Sequence, residues 1–227
     1  MSPPGADPLK VERATTLRVL ALDRMREAIW SGHLSPGERL VERTLCERLD
    51  VSRSIVREVL RHLETEGLVE TGARQGPVVA TLTVDQAMQI YEIRGLLEGR
   101  AAAACATRAT EATLGRLEAA RDAIREAFAL GDTRAVLERT TAFYAAMFDE
   151  AGLSVAWEVV RALNGRINRL RAMTIATPGR AADAGDEMAR IVDAVRARDP
   201  RAASAASEAH VRRVAELARA RLERGEG

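Results

Sequence analysis

Regularly spaced helix start and stop signals dominate the sequence from residue 83 onward. Thr83 with Gln86 forms a capping box, Thr110 is a second N-cap, and Asp199 followed by Pro200 starts a last helix. Further boundaries carry glycine or proline, at Gly131-Asp132, at Gly152 with Ser154, and at Pro178-Gly179. This spacing predicts about six helices of about 18–24 residues, joined by short connections as in an antiparallel bundle.

The composition of the chain agrees with a mainly α fold. Aromatic residues make up only 3% of the 227 residues, and alanine is abundant, which favours closely packed helices over a β-rich fold. No apolar run approaches the roughly 20 residues that span a bilayer, and the first ten residues lack the apolar core of a signal peptide. Cys46 and Cys105 lie far apart, so we expect reduced packing residues in a cytoplasmic protein without membrane contact.

The segment before the predicted bundle carries a different order of elements. A helix over about residues 14–31 ends at the turn-forming stretch SGHLSPGERL, and a short helix around residues 42–49 follows. Ser52 is an N-cap for the next helix, which covers about residues 53–66. Two β-prone runs, LVET and PVVAT, flank the loop GARQG and predict a hairpin. This order is that of a winged helix-turn-helix, with the hairpin as its wing.

Three arginines follow one side of the second helix of this motif. Arg53, Arg57 and Arg61 are four residues apart, so successive ones shift by only about 40° around the helix. Like charges at this spacing repel each other, which indicates a polyanionic partner. The N-terminal end of such a helix meets base edges in the major groove, and arginine binds guanine through two hydrogen bonds. For Arg61 we favour a surface ion pair with Glu64 or Glu66 instead.

The stretch from SGHLSPGERL to GPVV resembles the N-terminal domain of the GntR family of bacterial transcription regulators. It carries G-x-L-x-P-G, L-x-E-x-x-L, V-S-R-x-x-V-R-E-x-L, L-x-x-E-G-L-V and a glycine-bearing wing, in that order. The resemblance implies a homodimer that binds a palindromic operator in double-stranded DNA. It places the DNA contacts at Arg43, Arg53, Arg57 and Gly76, with Ser52, Ser54 and Gln75 as weaker candidates.

The segment IYEIRGLLEGRAAAACA and the helices after it resemble the FCD effector domain in its six-helix, VanR-like form. In that family an Asp and three His often hold a divalent metal at the centre of the bundle, where a small carboxylate effector also binds. The matching positions here are Thr140, Tyr144, Met188 and His210, of which only His210 keeps a ligand. Because one histidine cannot hold a divalent ion, we predict that the site has no metal and that the protein has no cofactor.

These four positions also point inward, each on a helix face that it shares with apolar residues. They therefore predict a cavity for a small-molecule effector, more apolar than the family's usual one. Arg94 lies on an apolar stripe, where a charge needs a partner. That partner is either Glu98, four residues on, or an acceptor on the effector. His210 is either a packed core residue or an effector contact.

The sequence thus predicts a mainly α protein in three parts. Residues 1–12 form a flexible arm, residues 13–82 a winged helix-turn-helix domain, and residues 83–224 an FCD-like domain for effector binding and dimerisation. The predicted function is transcription regulation, most often repression, by an effector-controlled DNA-binding dimer. Two alternatives stay open. One is a bundle that only dimerises, and the other is an enzyme, against which the lack of Ser-His-Asp, Cys-His and phosphate-loop motifs argues.

Overall fold

The computed structural model describes residues 16–72 and 76–225, so the predicted arm and Gln75 lie outside the described residues. Within them the elements are α1 (Leu17–Trp30), α2 (Glu42–Leu49), α3 (Arg53–Thr65), β1 (Val69–Gly72), β2 (Gly76–Val79), α4 (Val84–Arg108), α5 (Glu111–Ala129), α6 (Thr133–Ala151), α7 (Ser154–Ala162), α8 (Asn164–Ile175), α9 (Arg180–Arg196) and α10 (Pro200–Glu223). The predicted fold class, a mainly α chain with one small hairpin, is confirmed.

The first core forms where α1, α2 and α3 pack with the hairpin. Along α3 the buried residues are Val56, Val59, Leu60 and Leu63, spaced as one face of a helix. Burying this face leaves the arginine side of α3 turned to solvent. The hairpin pairs Val69 with Val79, and it continues to the two glycines that the sequence placed in the loop. α1 to α3 and the hairpin are called the head below.

The second core belongs to the helices from α4 onward. The central pair is α4 and α10, the two longest helices of the described chain with 25 and 24 residues. Close packing in this core rests on small side chains of α4, which are buried at Ala101, Ala102, Cys105 and Ala106. Helices α5, α6 and α9 complete the bundle around this pair. The domain boundary at residues 82 and 83 stays a prediction, although the two cores lie on either side of it.

One predicted bundle helix is wrong in its extent. We predicted one helix between Gly152 and Pro178, yet the structure has two helices there, α7 and α8, which meet at Leu163. Asn164 and Gly165 are weak helix formers, which makes the break inexpensive. The break also brings Gly165 against the main-chain oxygen of Glu66 in the head, where a Cβ atom would clash.

Two further sequence expectations concern the membrane and the thiols. Over residues 16–72 and 76–225, every helix is too short or too polar to cross a bilayer. Cys46 and Cys105 are free thiols in the structure, the first half-buried and the second buried. Burial raises the pKa of the Cys105 thiol to about 11, as expected of a packing residue.

The N-cap of α10 supplies a stability test. The side chain of Asp199 accepts hydrogen bonds at 3.0 Å from the backbone amides of both Arg201 and Ala202. Asp199→Ala leaves these amides without a partner, so we expect a loss of about 0.5–2 kcal/mol in the free energy of unfolding. Urea unfolding followed by circular dichroism measures it. Asp186→Ala, on an exposed face of α9, is the control, and an equal loss there would contradict the capping role.

Candidate nucleic-acid interface and bundle cavity

The N-terminal end of α3 is an exposed polar surface. Ser52 is its N-cap and accepts from the backbone amide of Ile55 at 3.4 Å, while its hydroxyl lies 2.9 Å from that of Ser54. Arg53 and Arg57 follow on the exposed side of the helix. The amides and dipole of a helix N-terminus attract anions, so this end suits a phosphate beside the two guanidinium groups.

A carboxylate of α2 holds these two arginines together. The Nε of Arg53 lies 2.7 Å from Oε2 of Glu42, and the Nε of Arg57 lies 2.9 Å from its Oε1. Hydrogen bonds from Arg57 and then Arg53 lower the pKa of Glu42, and Glu42 in turn raises the pKa of Arg57. The bridge therefore holds the two guanidinium groups close to the same carboxylate. Sequence reasoning missed Glu42 because its partners are 11 and 15 residues away.

The other predicted DNA contacts are less constrained. Arg43 projects into solvent from α2, with Glu47 at 3.9 Å. Gly76 begins β2 with φ of 71° and has open space on the side where a Cβ would stand, so its backbone is accessible to a partner. Arg61 is exposed, and among the described residues no carboxylate lies within ion-pair distance of it. The expected pair with Glu64 or Glu66 is therefore wrong, because Glu66 contacts Arg26 and His62 instead.

The bundle contains a partly open cavity of about 30 Å³ between α4, α5, α6, α8, α9 and α10. Four of the five predicted effector residues line it, namely Arg94, Thr140, Met188 and His210. The fifth, Tyr144, does not; its ring lies beside Arg171, 5.5 Å from the guanidinium carbon. Its buried hydroxyl has no well-formed hydrogen bond to any part of the chain that the structure describes, and burial together with Glu98 raises its pKa. A cavity of this size holds roughly one or two water molecules.

Arg94 pairs with Glu98 inside the bundle. Both are fully buried, and Nε of Arg94 donates to Oε1 of Glu98 at 2.8 Å. Burial opposes the charge of Arg94, but the carboxylate of Glu98 outweighs it and raises the pKa of the arginine. Of the two partners that the sequence left open for Arg94, the structure shows Glu98. Among the residues that the structure describes, Nη1 of Arg94 has no hydrogen-bond partner, so the guanidinium keeps an unused donor in the interior.

His210 belongs to a second buried network. Its Nδ1 lies 2.7 Å from Oε2 of Glu187, which also accepts from Nη1 of Arg180 at 2.9 Å. Burial lowers the pKa of His210 in spite of the carboxylate, so a neutral imidazole donates its Nδ1 hydrogen to Glu187. Burial alone would raise the pKa of Glu187, but His210 and Arg180 lower it. Sequence reasoning named His210 here and missed the other two residues.

These residues do not fit the metal that the FCD resemblance implies. Three of the four matching positions hold a threonine, a tyrosine and a methionine, and the Nδ1 of His210 already contacts a carboxylate. Over the described ranges, no group of three or more His, Cys, Asp or Glu side chains is arranged to hold an ion. Divalent metals require more nitrogen, sulfur or carboxylate donors than this centre presents.

Arg171 of α8 is a buried cation that the sequence did not single out. Its Nη1 donates to Asn168 at 3.0 Å and to Thr141 at 3.4 Å, and no carboxylate of the described residues pairs with it. Burial lowers its pKa to about 10. Arg166, Arg169 and Arg171 all lie in α8, and their spacing does not mark which one points inward. The packing of the bundle shows that Arg171 is the one that lines the cavity.

Two family profiles match the chain. The profile of the FCD domain matches residues 89–213, and that of bacterial regulatory proteins of the gntR family matches residues 19–79. The Nta operon transcriptional regulator of Aminobacter aminovorans is 33% identical over 62% of this chain and 65% of its own length. An uncharacterized HTH-type regulator of Bacillus subtilis, YdhC, is 34% identical over 49% of this chain and 50% of its own length. The chain thus spans about half to two thirds of these relatives.

Solved structures with the same fold cover nearly the whole chain. E. coli McbR/YncC superposes with a TM-score of 0.70 at 21% identity, over 90% of this chain and 98% of its own. A GntR regulator from Rhodococcus sp. RHA1 superposes with a TM-score of 0.72 at 23% identity, over 88% and 96%. At these identities the likeness establishes the fold.

The network around Glu187 gives a test of buried charge. Glu187→Gln removes the carboxylate between Arg180 and His210, all three of which are buried. Breaking a buried ion pair on one side leaves an uncompensated charge, so we expect a loss of about 3–5 kcal/mol in the free energy of unfolding at pH 7. Glu216→Gln, whose carboxylate pairs with Arg213 at 3.7 Å on the surface, is the control, with less than about 1 kcal/mol expected. Similar losses in both would refute the distinction.

Proposed function

Because the chain belongs to the GntR family of bacterial regulatory proteins and carries an FCD domain, we propose that it is a DNA-binding transcription regulator controlled by a small molecule. The observation that carries the proposal is the pair of exposed arginines, Arg53 and Arg57, held side by side by Glu42. They stand where a recognition helix meets base edges, with the N-terminus of α3 beside them for a phosphate.

In this proposal the two arginines read guanines in the major groove. A guanine offers O6 and N7 to one guanidinium, and this contact discriminates among base pairs. Glu42 competes with the guanines for the same donors, and it also holds the two guanidinium groups together. Arg43, Ser52 and Ser54 then contact the phosphate backbone around this point, and Gly76 lets the wing approach it.

The proposed assembly is a homodimer on a palindromic operator in the cytoplasm. One head per chain supports this, since a palindrome presents two equal half-sites. Leu96 and Ile93 on α4 support it as well, because they are large apolar side chains that remain 69% and 37% exposed in the single chain. We propose repression as the mode of action; among the relatives, the gluconate operon transcriptional repressor of Bacillus subtilis is 41% identical over 37% of this chain. No catalytic activity is proposed.

The proposed effector binds in the bundle cavity without a metal. The chemistry of the lining supports this, because Arg94 has an unused donor and Arg171 has no carboxylate partner among the described residues. Both favour a ligand with anionic or strongly accepting oxygens. The present volume of about 30 Å³ requires the cavity to widen when the effector binds.

That small volume favours a second candidate function. Small-molecule pockets usually measure roughly 300–1,000 Å³, so a bundle that only dimerises would also explain a cavity of about 30 Å³. Thermal unfolding of the protein with a panel of organic acids and more apolar molecules separates the two. A ligand that raises the melting temperature progressively, with the logarithm of its concentration above the Kd, supports the sensor.

Arg53→Ala tests the DNA-binding surface. We expect the variant to lose about 1–3 kcal/mol of specific binding, because a bidentate contact to guanine is removed. Fluorescence anisotropy measures it on a duplex that the wild-type protein selects from a random library. Arg61→Ala, on the same helix but farther from its N-terminus, is the control and should retain base discrimination. Equal affinity of wild type and Arg53→Ala would remove this residue from the interface.

The metal content of the purified protein tests the absence of a metal. After incubation with zinc, nickel and manganese and a desalting step, we expect less than about 0.1 equivalent per chain, because the centre offers too few donors. Elemental analysis measures it. A value near one equivalent would show that the centre binds metal through other groups, and His210→Ala would then identify whether His210 is among them.

A further inference from the structure

The helix α8 is shared between the two cores of the chain. At its N-terminus Gly165 packs on the main-chain oxygen of Glu66, the C-cap residue of α3. One turn on, a guanidinium nitrogen of Arg169 donates to the main-chain oxygen of Ala80, just after the hairpin. Arg166 lies against Gly67 in the same contact. The end of the recognition helix thus rests directly on α8.

The C-terminal half of α8 forms part of the wall of the bundle cavity. Arg171, Thr174 and Ile175 line it. Because a helix of 12 residues moves largely as one rigid element, a displacement at Arg171 is transmitted to Gly165. The same helix therefore contacts the ligand cavity and the base of the recognition helix.

The hydrogen bonds of Arg171 lead toward the head and away from the cavity. Its two acceptors, Asn168 and Thr141, line a cleft of about 390 Å³ between the head and the bundle. Across the same cleft Arg134 of α6 lies 3.7 Å from Asp23 of α1. Arg171 thus links the lining of the cavity to two residues that line the cleft.

Arg171 also has the weakest partners among the arginines that line the cavity. Arg94 pairs with Glu98 and Arg180 pairs with Glu187, whereas Arg171 has two neutral acceptors and the face of Tyr144. An anionic group in the cavity is a stronger acceptor for a buried guanidinium than an amide or a hydroxyl. Both present hydrogen bonds use Nη1 of Arg171, so a ligand that draws the guanidinium into the cavity competes with Asn168 and Thr141 for this group.

We propose that Arg171 couples the cavity to the head through α8. In the present arrangement Arg171 is hydrogen-bonded to two residues that line the cleft, Asn168 and Thr141, and α8 supports the end of α3 in one position. A ligand in the cavity captures Arg171, releases the cleft side of α8 and shifts α8 against Glu66. The ligand then favours a second orientation of the head by its differential affinity for the two arrangements. This proposal rests on the proposed function, since it assigns a route for the effector response.

The test needs no effector, because Arg171→Gln removes the guanidinium that binds Asn168 and Thr141 at the cleft. Affinity for the duplex selected by wild-type protein is measured by anisotropy, together with the melting temperature of each variant. We expect Arg171→Gln to change the affinity at least about fivefold. The matched control is Arg180→Gln, which removes another arginine of the same cavity from α9, a helix packed on α4, α5, α8 and α10. We expect it to change the affinity less than about twofold.

A second pair of variants tests α8 itself. Gly165→Ala places a Cβ against the oxygen of Glu66 and separates α8 from the end of α3, whereas Gly115→Ala on α5 meets open space. In the Gly165→Ala background, Arg171→Gln should no longer change DNA affinity, and in the Gly115→Ala background it should change it as before. If Arg171→Gln does not fold, Asn168→Ala replaces it. This variant removes a hydrogen-bond acceptor of Arg171 at the cleft but keeps the charge of the arginine, and we expect the same pattern of DNA affinities.

The outcomes distinguish this proposal from the proposed function. Equal effects of Arg171→Gln and Arg180→Gln, or an effect of Arg171→Gln that persists in Gly165→Ala, would overturn the coupling role while DNA binding stands. A wild-type protein that selects no duplex from the library would overturn the proposed function itself. The expected pattern, an effect that is specific to Arg171 and lost with Gly165→Ala, supports both.

Discussion

The cost of removing charge from water is the constraint on which the bundle depends. Arg94, Glu98, Arg171, Arg180 and Glu187 are all at least nine-tenths buried, together with a histidine. Each buried charge requires a partner, because its solvation is lost and only a close opposite charge or good hydrogen bonds replace it. The network therefore fixes which helix faces meet, since α4, α8 and α9 must present these side chains to the same interior.

That network stands where the family resemblance leads one to expect a metal. A divalent ion draws its ligands together and compensates their negative charge, and the positive charges of Arg94, Arg171 and Arg180 occupy the same interior here. Three arginines against two carboxylates leave an excess of one positive charge around a neutral histidine. The side chains of this interior thus carry an excess of positive charge, which is also the sign of charge that a bound divalent cation would contribute.

The features that could be predicted from the sequence depend on residues close to one another along the chain. Thr83, Thr110 and Asp199 were identified as N-caps because a cap is a contact between a side chain and a backbone amide two or three residues away. The apolar stripe and the arginine side of α3 followed from helical periodicity in the same way. The inward positions of Thr140 and Met188 could also be predicted, because each lies among apolar residues of its own helix.

What the sequence could not give depends on contacts between distant segments. Glu42 bridges two arginines of another helix, and Glu187 contacts a histidine 23 residues away. The break at Leu163 has no strong local signal, since its reason is the fit of Gly165 against Glu66. The sequence could not distinguish Arg171 from Arg166 and Arg169. Helical spacing predicts which residues share a face of α8, but not which other helices pack against that face.

The two thiols differ in a way that has a practical use. Cys105 is buried in the bundle, and its raised pKa keeps it protonated near neutral pH, so thiol reagents do not reach it as a thiolate. Cys46 lies half-buried on α2, the helix that carries Glu42 and packs beside α3. The natural chain therefore offers a single labelling position, and a maleimide dye attached there reports on the head while the bundle stays unmodified.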